Sequence, residues 1–447
     1  MDVPTVRESA TVSSRGLPTR MGARGARRRV RIATNTLRTR PCVSVACLLT
    51  FLLAGAAHAD TVRVGIVEGA KRLEVSDASG RAVVVAATGA GLAVAGRDVG
   101  MRHKFPASAG PYRLKAVGRG SWHLRGGLAV VRGDSGFYVV NRVPLEDYVA
   151  GTLGGEMISS WAPAALRAQA VACRSFVLYQ MARRASEPFD VTADVSSQRY
   201  LGVEGESDAA WAAVRATRGE VLRDSTGPVL AAFHSASGGR TASAAEVWGT
   251  PIAYLRSVPV ESEDASPDTY WRVAVSQQNL LRALEGLGLE IGTVEAVEVS
   301  RRSGSGRAAE VRFRGKAGRA KVTGRQLRQA LGPGAIRSTM FDVRYAEGEA
   351  VFVGSGYGHG VGMSQWAAQG MALEGATYSD ILDKFYPGTR LAPSIETASR
   401  LAGGEGKKMS RGRPPVAARR ERAARKPGAT RVKNEGRKAD RMGDRRR

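Results

Sequence analysis

GEMISSW, residues 155–161, runs almost directly into the helical series ALRAQAVACRS, residues 165–175. That reading places one carboxylate, Glu156, at the entrance of an apolar helix. A carboxyl group held in such a place can have its pKa raised toward neutrality by burial, as general acid catalysis requires. The plainer reading is a first-turn acid favoured by the helix dipole. Downstream, Pro163 to about Arg184 has the length of a long helix, with Ser160 as its cap and Pro163 in the first turn. Leu166, Ala170, Cys173, Val177 and Met181 recur at helical spacing and form the expected buried stripe. Arg174 lies one position off it, where a guanidinium could reach a carboxylate or a sugar oxygen.

Working outward, residues 145–153 read as a short amphipathic helix and residues 61–143 as short β-branched runs broken by glycines. A helix is expected over 207–218, followed by an apolar strand, VLAAFH, that ends in the polar turn His234-Ser235-Ala236-Ser237-Gly238-Gly239. Sites are commonly built at such strand ends. Residues 273–345 alternate helix and strand and read as a compact α+β insertion without a catalytic grouping. The second dense segment is GSGYGHGVGMSQW, residues 354–366, between a strand and a helix. Alternate glycines let backbone approach a ligand closely. Neither the phosphate loop nor the dinucleotide fingerprint fits this spacing, and His359 is read as a ligand-facing donor. The fold class expected from these elements is α+β.

The chain has 447 residues, 43% of them hydrophobic, which is an ordinary globular composition. Its net charge of +26 is concentrated at the ends: residues 1–40 carry +8 and residues 401–447 carry +12, leaving +6 for the middle. The terminal segment lacks the interleaved aromatics that stack bases, so a nucleic-acid partner is not expected. It reads instead as a disordered basic tail, residues 393–447, that could contact anionic envelope polymers. Residues 43–57 are an apolar run, too short to span a bilayer, behind an Arg-rich flank and ahead of Ala57-His58-Ala59. Residues 1–59 are therefore expected to be a signal peptide cleaved after Ala59, with Met21 as an alternative start. Two of the three cysteines, Cys42 and Cys47, leave with it. Cys173 remains, expected in the core, and neither an internal disulfide nor a Cys-rich zinc site is possible.

Taken in order, LEDYVAGTLGGEM, ALRAQAVACRSF, FHSASGG and GYGHGVGMSQWAA resemble the SpoIID/LytB family over roughly residues 140–392. The resemblance implies an exported peptidoglycan lytic transglycosylase with a β-rich region at 60–142 and a catalytic domain at 143–392. It implies that Glu156 is the catalytic acid and that Arg174 matches an arginine associated with the active site. Gln198, Tyr200, His234, Ser235, Tyr357, His359 and Gln365 match positions around the cleft. Some members bind zinc through cysteines ahead of the Gln-x-Tyr block. This chain reads DVTADVSSQRY there, residues 190–200, so no metal and no cofactor are expected. Glycan strands are the implied partner, in periplasm or cell wall, and a cell-wall amidase is a second partner because one branch of the family comprises amidase enhancers. A hydrolase flanks its glycosidic bond with two carboxylates. A transglycosylase, whose muramyl C6 hydroxyl is the nucleophile, can work with one. Glu146 and Asp147 are the nearest other acids in sequence and leave the two-carboxylate alternative open.

Overall fold

The computed structural model describes residues 61–393; the expected signal peptide and basic tail lie outside the described residues. Both helices and several sheets are present, as an α+β chain requires. The helices are Leu145–Glu156 (α1), Pro163–Arg183 (α2), Asp208–Ala216 (α3), Ala244–Trp248 (α4), Gln277–Glu285 (α5), Gly324–Leu331 (α6), Gln365–Leu373 (α7) and Tyr378–Phe385 (α8).

The amino-terminal strands form two sheets. The strand Thr61–Ala70 buries Val62, Val64 and Val67 and pairs antiparallel with Gly136–Pro144, Val64 facing Asn141. On its other edge it pairs in parallel with Val191–Thr192, which ties the loop before residue 198 to this sheet. The other sheet has six strands and ends at Gly120–Leu124. Apolar side chains from both sheets and from α1, α2, α3, α7 and α8 merge into one hydrophobic core. A separate core, from Trp271 to Phe352, joins α5 and α6 to two three-stranded sheets.

Helix α2 is the central element. From Ala165 to Ser175 almost every side chain is buried, because small alanines let α1, α3, α7, α8 and the strand Glu220–Asp224 pack around it. A helix enclosed on most sides, with Arg167 exposed, has a buried surface far wider than one stripe. The expected single stripe is therefore too narrow, and Arg174, one step off it, is fully buried as well. Its cap also differs. Ala162, rather than Ser160, is the N-cap, and its N–H donates to Gln369 Oε1 of α7 (2.8 Å). Only Phe233–His234 of the apolar stretch 229–234 pairs as strand, in parallel with Met363–Ser364. Those four residues bring the two polar turns of the sequence side by side.

Candidate active site

Glu156 is the last residue of α1, not the first turn of α2. At a helix C-terminus the macrodipole disfavours an anion, the reverse of the first-turn reading. Burial raises the Glu156 pKa above the ordinary carboxylate value. The Arg199 N–H, the Gln365 side chain and the Arg199 charge pull in the opposite direction without cancelling it. The Arg199 N–H donates to Glu156 Oε1 at 2.6 Å. This contact depends on a glycine face of α1. A Cβ on Gly155 would lie 2.1 Å from the Arg199 carbonyl oxygen, and one on Gly151 would lie 2.8 Å from that of Gly202. Only glycines let the 199–205 loop approach so closely.

Gln198 and Tyr200 point into the protein from this loop, and Arg199 between them is exposed. The Tyr148 hydroxyl donates to Gln198 Oε1 (2.8 Å), and the Tyr200 hydroxyl donates to Asn141 Oδ1 (2.9 Å). The Tyr148 and Tyr200 rings stack with centroids 5.2 Å apart. Both expected cleft residues therefore anchor the loop from inside. Gln365 opens α7, with Ser364 as its cap, and its Nε2 donates to Gln169 Oε1 (3.4 Å), while Gln169 Nε2 donates to Cys173 Sγ (3.3 Å). A line of polar side chains thus runs behind Glu156 into the core. Burial raises the Cys173 thiol pKa, as expected for a core cysteine rather than a nucleophile.

Arg174 is where expectation and structure part. Its Nε and Nη2 donate to the two carboxylate oxygens of Glu146 (3.0 and 2.7 Å), and its Nη1 donates to the Glu220 carbonyl (3.0 Å). It is a fully buried ion-pair residue, not a group on a surface that sugar can reach. Glu146 is thereby also accounted for. Asp147 lies among other partners, its pKa raised by burial with Arg125 and Glu206 nearby.

The two histidines meet with ring centroids 5.6 Å apart, and Trp248 lies 5.8 Å from His359. His234 Nδ1 donates to the Val361 carbonyl (3.2 Å), while its Nε2 is buried without a partner among the described residues. His359 Nδ1 accepts the Val361 N–H (3.0 Å), and the ring also bonds to the backbone of Phe233. Burial, assisted by Arg328 and Arg307, lowers the His359 pKa to about 4. Burial, with His359 and Arg307, holds His234 well below its ordinary value. Both imidazoles are neutral at pH 7, and His359 spends its nitrogens on backbone rather than facing a ligand. Ser235 accepts the Trp366 N–H on its carbonyl (3.0 Å), which joins its turn to α7. Tyr357 bridges backbone with Ala236 and leaves its ring exposed.

Three supporting residues escaped the sequence reading. Arg199 was hidden by the Gln-x-Tyr pair that flanks it, although alternation in extended chain implies that the middle residue faces outward. Glu263, from an acidic stretch resembling a surface loop, is buried and accepts Ser237 N–H (2.7 Å), Ser237 Oγ–H (2.8 Å), Gly238 N–H (3.0 Å) and the Ser364 hydroxyl. Arg307, from the 271–354 region, donates from Nη2 to the carbonyls of Ser237 (2.8 Å) and Arg240 (2.9 Å). Glu263 and Arg307 together fasten the turn after His234, and Glu263 also holds Ser364. No group of three or more His, Cys, Asp or Glu among the described residues could hold a metal ion. No helix there is long and apolar enough to cross a membrane.

The family model described as Stage II sporulation protein, SpoIID, matches residues 133–223, and a domain of unknown function, DUF8618, matches residues 256–362. An uncharacterized protein of Brachyspira hyodysenteriae is 34% identical over 265 residues, 59% of this chain and 70% of that one. Stage II sporulation protein D of Bacillus amyloliquefaciens is 32% identical over 269 residues, 57% of this chain and 75% of its own length. A protein of Bacillus subtilis named amidase enhancer is 28% identical over 289 residues, 54% of this chain but 40% of its own length.

Proposed function

The chain belongs to the SpoIID family, with a role related to the cell wall, and from that premise we propose that it is an exported peptidoglycan lytic transglycosylase in which Glu156 is acid and then base. The observation that carries the reading is the environment of that one carboxyl group. Burial raises its pKa above the ordinary carboxylate value, which favours the protonated form a general acid needs, while one backbone N–H and one amide orient it. The protonated form gives its proton to the glycosidic oxygen as the bond to the muramyl anomeric carbon breaks. The muramyl C6 hydroxyl then bonds to that carbon, and its proton returns to the Glu156 carboxylate. Atoms balance without water, and the product is an anhydro-muramyl end. Of the acids nearest in sequence, Glu146 is paired with Arg174, while Asp147 has Arg125 and Glu206 as charged neighbours. That supports one carboxylate rather than the pair a hydrolase uses.

The test is mass spectrometry of purified glycan strands after incubation with the wild type and with Glu156→Gln. Muramyl ends lighter by one water, reduced about 10²- to 10⁴-fold in the variant, are expected for loss of a general acid. Ordinary reducing ends would instead indicate a hydrolase. The relative named amidase enhancer motivates a second reading, a protein that binds glycan and stimulates an amidase without cutting strands. Strand binding with no cleavage, together with faster amidase turnover, would favour it.

A further inference from the structure

A groove of about 490 Å³ opens between the strand Gly120–Leu124 and residues 193–204. Its walls include Trp122, Asp194, Arg199, Leu201 and Glu204. The two sides are held together where His123 bridges Gly202, whose Cβ would lie 2.3 Å from the His123 carbonyl oxygen, and where His123 Nδ1 lies 3.7 Å from Glu204 Oε1. Arg199 belongs to both places: its N–H holds Glu156, and its side chain lines the groove. One residue thus links the wall of the groove to the proposed acid.

We propose that this groove is a glycan subsite, seating an N-acetylated hexosamine ring on Trp122 and pairing a carboxylate borne by the muramyl residue with Arg199. The inference rests on the reading that the protein acts on glycan strands. The C–H face of a pyranose is apolar and matches an aromatic plane, while its rim of hydroxyl and amide groups requires the polar wall found around Trp122. Trp122 is half-buried, its indole anchored against the core and part of it open to the groove. Of the charged side chains lining the groove, the acids are already engaged. Asp194 accepts from Ser196 N–H (2.9 Å) and from Thr192 Oγ1–H (3.0 Å) in its own turn, and Glu204 faces His123. Arg199 is exposed and forms no ion pair with a protein carboxylate among the described residues. Asp194 and Glu204 keep their negative charge, and Arg199 is the one cation among the residues lining the groove, where its guanidinium fork matches a carboxylate. In peptide-free strands that carboxylate is the lactyl group of muramic acid. In peptide-bearing strands the lactyl group is amidated, and stem-peptide carboxylates replace it. The amino-terminal β-rich region then supplies a substrate-binding side chain instead of serving only as a support.

The experiment measures affinity by calorimetry in the Glu156→Gln background for three probes: N-acetylchitotetraose, peptide-free strands and peptide-bearing strands. Trp122→Leu, which keeps apolar packing, is expected to weaken all three about tenfold, and Trp122→Tyr to restore most of the loss. Arg199→Gln leaves its backbone N–H in place and is expected to weaken the charged strands about tenfold while sparing the neutral chitotetraose. Whichever strand loses affinity identifies the source of the carboxylate. Unchanged affinities in Trp122→Leu, equal losses on charged and neutral probes in Arg199→Gln, or no binding of any probe would overturn the subsite. Strand binding that depends on Trp122 and Arg199, combined with no anhydro ends from the wild type, would uphold the subsite and remove the catalytic reading instead.

Discussion

Replacing Arg174 by alanine discriminates between a core role and a role at the cleft. The guanidinium is fully buried and makes both of its carboxylate bonds to Glu146, plus one to the Glu220 carbonyl. Removing one partner of a buried pair typically costs about 3–5 kcal/mol, because the other charge stays behind unpaired. Here the Glu146 side chain keeps 19% exposure and the Gly219 N–H at 3.2 Å, so the lower end, about 3 kcal/mol, is expected. That is roughly two orders of magnitude in the folding equilibrium. Urea denaturation followed by tryptophan fluorescence reads it directly. The paired variant Glu146→Leu with Arg174→Met removes both charges at similar volume and is expected to return to within about 1–2 kcal/mol of the wild type. Its turnover per folded molecule should stay close to that of the wild type. A wild-type urea midpoint in Arg174→Ala, or a stable double variant with turnover down a hundredfold, would refute the argument and return Arg174 to the cleft.

Four further outcomes follow from the site. Because burial raises the Glu156 pKa, the folded state loses stability relative to the unfolded chain as pH rises from the ordinary 4.5 through the raised value. Glu156→Gln keeps the acceptor for Arg199 N–H, so it should be more stable than the wild type at pH 7, with the gap closing below about pH 4.5 in paired urea titrations. His359 has the opposite sign: its folded pKa of about 4 lies below the ordinary 6.5, so its contribution is present above 6.5 and is lost as pH falls toward 4. Proton NMR of the imidazoles should show neither site histidine titrating near 6.5, and a midpoint there would refute the burial argument. Cys173 should resist a disulfide exchange reagent in the native protein and react at once in 6 M guanidinium, since burial raises its pKa. Gly362→Ala should destabilise by more than about 3 kcal/mol in urea titrations, because the new Cβ would lie 1.9 Å from the Ala232 carbonyl oxygen at a φ of +73°.

Much of this protein follows from local pattern. The β-branched runs before residue 144, the long helix after Pro163 and the alternate glycines before Ser364 each carry their own period or backbone requirement, so the α+β class and the order of elements could be read directly. Glu156 could be singled out as well, because a lone acid beside glycines and an apolar helix is an unusual local arrangement. Its placement could not be read. Whether it opens one helix or closes the previous one depends on Gly154 and Gly155 continuing α1, which their packing against residues 199–205 permits despite poor intrinsic helix propensity.

Tertiary structure alone decided which polar residues face solvent and which face each other. Spacing put Arg174 at the edge of a stripe, but around it α2 is buried on almost every side, so the same residue became half of a buried pair with Glu146, 28 positions away. Gln198, Tyr200 and His359 carry side chains suited to ligands, yet Gln198 Oε1, the Tyr200 hydroxyl and His359 Nδ1 meet Tyr148, Asn141 and backbone at Val361. Arg199, Trp122 and Glu263 gained their positions from strands and loops far apart in the chain. A residue type limits what bonds can form. Only long-range packing, which no local period encodes, determines whether water, substrate or another side chain is on the other end.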